Sequence, residues 1–397
     1  MKGLFRVMAV LLGGMFLGGT GAFAAEVGVT DKTIKVGFLT PLTGPAAGLG
    51  RMIGDGAKIA FNAVNDEGGV HGRKFELILE DSAYNPKETV AGFKKLVQRD
   101  GVFGIPGIIG TPPIMAAFPL AEETRVPTLV YQGPKASFIP PKRYVFVIGM
   151  PYQLEVIGLM EYAMRHLDAK KKKIGILAQD DLADTAAEGM RDVEKQYGLK
   201  VLSQQTFKRG SPDMSPPVIA LMKDGVEMVM AVTNARDMAL ILKKSMELNF
   251  KPIYLGITPA ADQSIFDALP PGELEFYAAA STAPLSMDIP GIKKMVELGK
   301  KYFTPFKPIS YHLIGYLPSK VFIEGVKATG PELTREKLIA AFERFNNVDM
   351  DGLTPPVTFG PQRRYSASSI MVIKMDTASK TFKIVRKAEE LQLNPFK

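Results

Sequence analysis

The sequence predicts an α/β fold of two doubly wound parallel-sheet lobes, and three observations point to it. From residue 34 onward, apolar strand-like runs alternate with amphipathic helical stretches, the pattern of a parallel sheet covered on both faces. Two near-equivalent openings, IKVGFL at Ile34 and KIGILA at Lys173, start that alternation twice, about 140 residues apart. The chain is also too long for one comfortable core: about 370 residues remain once an export signal is set aside.

That signal is the first element. Lys2 and Arg6 precede the apolar run Val7 to Leu17, and Thr20, Gly21, Ala22, Phe23 and Ala24 follow. A charged start, a short apolar segment and an Ala-x-Ala site predict cleavage after Ala24 and export, most simply into a bacterial periplasm. The run is about half the ~20 residues a bilayer span needs. With no Cys in the chain, lipid attachment is not expected and stability must come from burial rather than disulfides.

The first lobe opens with a buried strand at Ile34 to Leu39 and a helix whose stripe is Met52, Ile53, Ile59, Ala60, Ala63 and Val64, ending at Gly68 and Gly69. A strand at Phe75 to Glu80 follows. Asn85, Pro86 and Glu88 then make a helix start whose inner stripe is Val90, Phe93, Leu96 and Val97. Strands are expected at Val102 to Ile109 and Pro127 to Tyr131, with a helix from Pro112 between them.

In the second lobe, strands are expected at Ile174 to Ala178, Leu199 to Gln204, Val226 to Val232 and Pro252 to Gly256. Helices at Asp184 to Tyr197 and Asp213 to Lys223, and one turning Met238, Ile241, Leu242 and Met246 inward, separate them. From residue 288 the chain turns helical, through Pro290 to Tyr302, Ser310 to Thr329 and Thr334 to Phe345. It ends in β-rich segments at Val357 to Phe359, Ser369 to Met375 and Thr381 to Val385. That tail is too small for a third domain, so it should complete the two lobes, with crossings near residues 148 to 152, 279 to 284 and 350 to 356. The expected division is a signal at 1–24, a first lobe of 32–149 plus 282–353, and a second of 150–281 plus 354–397.

Catalytic chemistry finds little support. His71, His166 and His312 are the three histidines, and no two stand at metal-ligand spacing. There is no Gly-x-Ser-x-Gly elbow, no His-Glu-x-x-His and no phosphate loop. Gly48, Gly50 and Gly54 narrowly miss the dinucleotide fingerprint, the third glycine being one place late, with Pro41 and Pro45 intervening. No enzyme activity, metal or cofactor is therefore expected. Of the net charge of +8, Lys2 and Arg6 supply two, and the remaining excess is thinly spread. Its densest run, Lys170 to Lys173, reads as a solvated helix end, and nothing points to nucleic acid.

The runs IKVGFLTPLTGPAAGLG, NAVNDEGGVHGRKFELILEDSAYNPKETV, LVQRDGVFGIPGIIG and VPTLVYQG together resemble the branched-chain amino-acid (leucine/isoleucine/valine) periplasmic binding proteins. The marker is an asparagine-bearing helix end, a double-glycine turn, a basic residue and an apolar strand, followed by an Asn-Pro-Lys helix start. The resemblance implies a type I periplasmic binding protein: two Rossmann-like lobes, a three-strand hinge, and a cleft that closes on a small ligand. It also implies delivery to the membrane permease and ATPase of an ABC importer, with the protein expected as a monomer. A cleft beyond the carboxyl ends of the strands is what open parallel sheets offer on physical grounds as well.

Carried over one position at a time, the family's carboxylate-binding hydroxyl cluster falls on Gly110 and Thr111, and the loop after the fourth strand on Gln132, Gly133 and Lys135. The apolar-end contact falls on Leu49, and the second-lobe aromatic contacts fall on Ala183 and Asn234. The family's acid for the α-ammonium falls on Thr258, which carries no charge; Asp181, Asp184 or Asp262 could supply one if the alignment slips by a few places. A buried ammonium needs a carboxylate or several acceptors.

At the other end, Pro112 and Pro113 remove two N–H groups from a helix start that would otherwise bind an anion. Lys135, with Arg51, could restore the attraction for a carboxylate with full positive charge; the alternative is that both face solvent. Tyr131 and Tyr152 suit hinge packing or ligand stacking. The expected ligand is a small organic carboxylate, aromatic ones included, with branched-chain or other amino acids and amides as the alternative. A ligand-sensing receptor domain would share the same lobes.

Overall fold

The computed structural model describes residues 26–269 and 274–396. The expected signal, 1–24, lies outside them. In chain order the first elements are β1 (Thr33–Thr40), α1 (Ala47–Asp66), β2 (Lys74–Asp81), α2 (Pro86–Lys94), α3 (Thr111–Thr124), β3 (Thr128–Val130), β4 (Val145–Val147) and α4 (Tyr152–His166). Then come β5 (Ile174–Gln179), α5 (Ala183–Tyr197), β6 (Val201–Phe207), α6 (Ser215–Lys223), β7 (Met228–Val232), α7 (Ala235–Glu247), β8 (Ile253–Gly256) and α8 (Ile265–Ala268). The chain closes with β9 (Phe276–Ala280), α9 (Pro290–Tyr302), α10 (Ser310–Thr329), α11 (Arg335–Glu343), β10 (Ser369–Asp376) and β11 (Thr381–Glu390).

The first lobe is built on the parallel pairs β1–β2 and β3–β4. The stretch 104–108 joins them through single bridges, Val36 to Gly104, Leu39 to Ile108 and Ile105 to Thr128. A continuous strand was expected there; Pro106 has no N–H to donate. Gly107 lets the Phe38 ring come so close that an added Cβ would stand 2.1 Å from it.

The second lobe carries a seven-stranded sheet ordered β11-β10-β9-β8-β7-β5-β6. Its β6 to β9 portion is parallel, and β10 and β11 add an antiparallel edge. Every residue of β5 and β7 is buried, as expected of strands covered on both faces. The expected strand at Val357 to Phe359 is only a bridge from Val357 to Val348.

Three passages join the lobes. After β4 the chain enters α4, which packs on α5, β8, β9 and β10. After β9 it returns to α9, which packs on α1. The third passage comes later than the expected 350–356. Val357 and Phe359 are still buried among first-lobe aromatics, with Phe359 5.0 Å from the Phe146 ring, and Tyr365 bridges Val147. The crossing is thus the short run between Tyr365 and β10, so 354–365 belongs with the first lobe.

Two glycines set the packing of α1 on α10. A Cβ on Gly56 would stand 2.0 Å from the His312 carbonyl oxygen, and one on Gly315 would stand 1.8 Å from that of Ile53. Gly50 is equally pressed against the Pro41 carbonyl oxygen, at 1.8 Å for an added Cβ. Gly50, one of the glycines that mimic a dinucleotide fingerprint, therefore serves close packing. The basic run ahead of β5 has Lys170, Lys171 and Lys173 exposed, as a solvated turn should.

Candidate functional site

A cleft of about 440 Å³ opens between the lobes. Its walls come from the segments that follow the parallel strands: Tyr131 and Gln132 after β3, Leu182 after β5, Arg209 after β6, Thr233 and Asn234 after β7, Thr258 and Pro259 after β8. Strand ends of parallel sheets converge in this way because every strand delivers its loop to the same side. Most of the lining is apolar, including Leu49, Ile53, Ile109, Ile114, Leu285 and Ile314.

The first-lobe wall is shaped by backbone conformation. Gly110 has φ +103°, which an L side chain rarely adopts, and precedes α3. A Cβ there would meet the Tyr84 ring at 2.7 Å, so the glycine lets that ring lie against the helix start. Tyr84 is itself left-handed at φ +55°, held by a turn in which Asp81 Oδ1 accepts from the Leu42 and Ala83 amides at 2.7 and 2.8 Å.

On the second-lobe wall, Arg209 is the one cation among the described lining residues. Its Nε and Nη2 donate to Asp181 Oδ2 at 3.2 and 2.8 Å, its guanidinium carbon lies 5.0 Å from the Tyr84 ring centre, and Nη1 bonds to none of the described residues. Burial works against its charge, but the Tyr84 phenol and Asp181 outweigh it and hold the guanidinium protonated. Asp237, fully buried, holds this wall together. It accepts from Gln179 Nε2 at 2.8 Å, Asn234 Nδ2 at 3.1 Å, the Gly210 amide at 3.2 Å and Arg236 Nη1 at 2.7 Å.

At the floor, Thr258 meets a carboxyl the sequence reading passed over. Its hydroxyl and amide donate to Glu155 at 2.5 and 2.9 Å, and Gln132 Nε2 reaches the same carboxyl at 2.7 Å. Burial pushes the Glu155 carboxyl above its ordinary range, against the opposing pull of hydrogen bonds from Ser281, Thr258 and Gln132. Asp262 also lines the cleft, with Oδ2 buried and unpartnered among the described residues.

Of the expected site residues, Leu49, Gly110, Thr111, Gln132, Tyr152, Asn234 and Thr258 line the cleft. Arg51 does not: it is exposed and its Nη2 lies 3.4 Å from the Leu42 carbonyl oxygen. Lys135 does not either, because its ammonium sits 5.6 Å over the Phe396 ring. Gly133 is buried behind the wall against Ser137, and Ala183, half-buried, packs against the core while its neighbour Leu182 takes the lining place. The cation of the cleft is thus Arg209 in place of Lys135 and Arg51. Nothing in the sequence marked it beyond its position in the loop after a parallel strand.

Two parallel-sheet lobes, three passages and an interlobe cleft lined by strand ends define a two-lobed binding protein. The Periplasmic binding protein family matches residues 33–380, and the chain belongs to that family. It is 27% identical over 322 residues to the Leu/Ile/Val-binding protein homolog 7 of Brucella abortus (strain 2308), covering 77% of this chain and 79% of that one. Among solved structures it is similar to a fatty acid ABC transporter substrate-binding protein from Thermomonospora curvata, with a TM-score of 0.82, 28% identity and coverage of 93% and 95%. A branched chain amino acid ABC transporter protein from Thermus thermophilus with bound valine shares the fold, with a TM-score of 0.82, 21% identity and coverage of 91% and 97%. The family is one of transporter substrate-binding proteins rather than enzymes.

Proposed function

We propose that the protein is the exported solute-binding component of an ABC importer, closing its cleft on a small organic carboxylate and delivering it to a membrane permease and its ATPase. The carboxylate pairs with Arg209, and an apolar body, aromatic acids included, fills the Ile- and Leu-lined space. The single observation that carries this reading is the Arg209 guanidinium, which lines a largely apolar cleft and whose Nη1 has no partner among the described residues. The fatty-acid binding protein from Thermomonospora curvata, similar over nearly the whole chain, supports an apolar acid. Cleavage after Ala24 places the protein in the periplasm.

A second reading, an amino acid, is favoured by Asp262, whose buried free Oδ2 suits an ammonium, and by the names of the Leu/Ile/Val-binding relatives. A thermal-shift screen separates the two. A ligand that binds only the native state at about 100 times its Kd adds roughly 2.7 kcal/mol. Aliphatic or aromatic acids should raise the melting temperature while their amides do not. If leucine or valine raises it and every non-amino acid is silent, the carboxylate reading fails.

A further inference from the structure

Glu155 is a buried acid that the cleft itself does not use. It lies in the first turn of α4, is 0% exposed, and four donors converge on its carboxyl. Gln132 Nε2 at 2.7 Å, Thr258 Oγ1 at 2.5 Å and the Ser281 hydroxyl reach Oε1, and the Thr258 amide at 2.9 Å reaches Oε2. These donors come from three places: Gln132 follows β3 in the first lobe, Thr258 follows β8 in the second, and Ser281 starts the passage after β9.

No cation among the described residues pairs with it. Tyr131, from the end of β3, and Tyr152, on its own helix, both feel its charge, and burial holds both phenols neutral. From α5, Asp192 bonds to Gln153 on the neighbouring face of α4, and the β8 and β9 ends present Thr258 and Ser281. An ionised carboxylate walled in by neutral donors alone is costly in a dry site.

We propose that Glu155 is a proton-coupled positioning residue of the hinge: its carboxyl clamps Gln132 of the first lobe to Thr258 of the second when the cleft is shut, and closure takes up a proton there. The proposal rests on the reading that the lobes open and close around a ligand. In the arrangement described, the lobes touch through Arg209 and Tyr84. Opening draws Gln132 away from Thr258 and admits water, which returns the carboxyl toward its ordinary range. The state that holds the proton more tightly gains as pH falls. Each pKa unit of difference between open and shut moves the closure equilibrium about tenfold.

The test needs no ligand. Because the chain has no Cys, Lys87→Cys on α2 and Gln196→Cys on α5, both exposed, place one dye on each lobe. Energy transfer should move toward the shut state as pH falls from about 8 to about 5, and Glu155→Gln should give a flat profile. Glu155→Asp, which keeps a carboxyl on a shorter stem, should move the midpoint and serves if the Gln variant does not fold. An invariant wild type, an equal response in Glu155→Gln or an unmoved midpoint in Glu155→Asp would overturn the proposal. With no ligand present, failure here is separate from failure of the carboxylate reading, which the acid screen decides.

Discussion

The guanidinium carbon of Arg209 lies 5.0 Å from the ring centre of Tyr84, so one residue from each lobe meets its counterpart across the cleft. A cation over an aromatic face contributes about 0.5–2 kcal/mol depending on how dry the pair is. Tyr84→Ala should therefore weaken an acid that passes the melting screen by about 2- to 30-fold, while Tyr84→Phe, which keeps the ring, stays within about twofold. Calorimetric titration of both variants checks this.

Lys135→Ala and Arg51→Ala should each change that affinity by less than about twofold. Neither residue lines the cleft: one ammonium rests over Phe396 and the other side chain is in solvent. A larger loss in either titration would mean that a surface cation reaches the ligand after all.

Asp237 couples three parts of the second-lobe wall, because Gln179, Asn234 and the Gly210 amide all donate to it. Asp237→Ala leaves those donors without an acceptor and should cost about 2–4 kcal/mol. A urea unfolding midpoint measures that cost. The same variant should bind acids more weakly, since Gly210 follows Arg209 directly.

Gly315→Ala should destabilise by about 1–3 kcal/mol or more, because the added methyl meets the Ile53 carbonyl oxygen and no rotamer can relieve a backbone clash. Equilibrium unfolding reads it. The same substitution at Gly48, where an added Cβ meets nothing within 4 Å, should be near neutral or stabilising in the helix.

Burial lowers the pKa of His312, against the backbone hydrogen bond to Ile309 that pulls it upward. The native state then binds a proton less readily than the unfolded chain, so stability from this group rises with pH. It is lost as pH falls from about 6.5, the unfolded value, toward the depressed native one. The denaturant midpoint should drop between pH 7.5 and 5.5 more steeply in the wild type than in His312→Gln; parallel curves would contradict the assignment.

The parallel-sheet architecture was legible because strands buried on both faces read as largely apolar runs, as β5 and β7 do, and because Asn85 does cap α2 by accepting from the Lys87 amide at 2.8 Å. Helix α4 was not read. It is buried from Gln153 through Ala163, so it has no polar face to give a period, and nothing singled out Glu155. The alanine-rich β9 carried too little strand character to register. At the site, residues could be transferred by resemblance, and six of the nine so placed, Leu49, Gly110, Thr111, Gln132, Asn234 and Thr258, do line the cleft. Charge could not be transferred the same way. Lys135 and Arg209 both sit in loops, and which of them turns inward is decided by partners distant in sequence, Phe396 for one, Asp181 and Tyr84 for the other.

Calorimetric titration of the wild type and Arg209→Gln with one acid from the melting screen tests the central claim. Hydrogen bonds to a charged partner contribute about 1.5–3 kcal/mol, so the variant should bind about 10- to 150-fold more weakly while the amide of that acid stays a poor ligand to both. Equal affinity of the two proteins for the acid would contradict the account, because the cleft would then recognise its ligand without the one cation that lines it among the described residues.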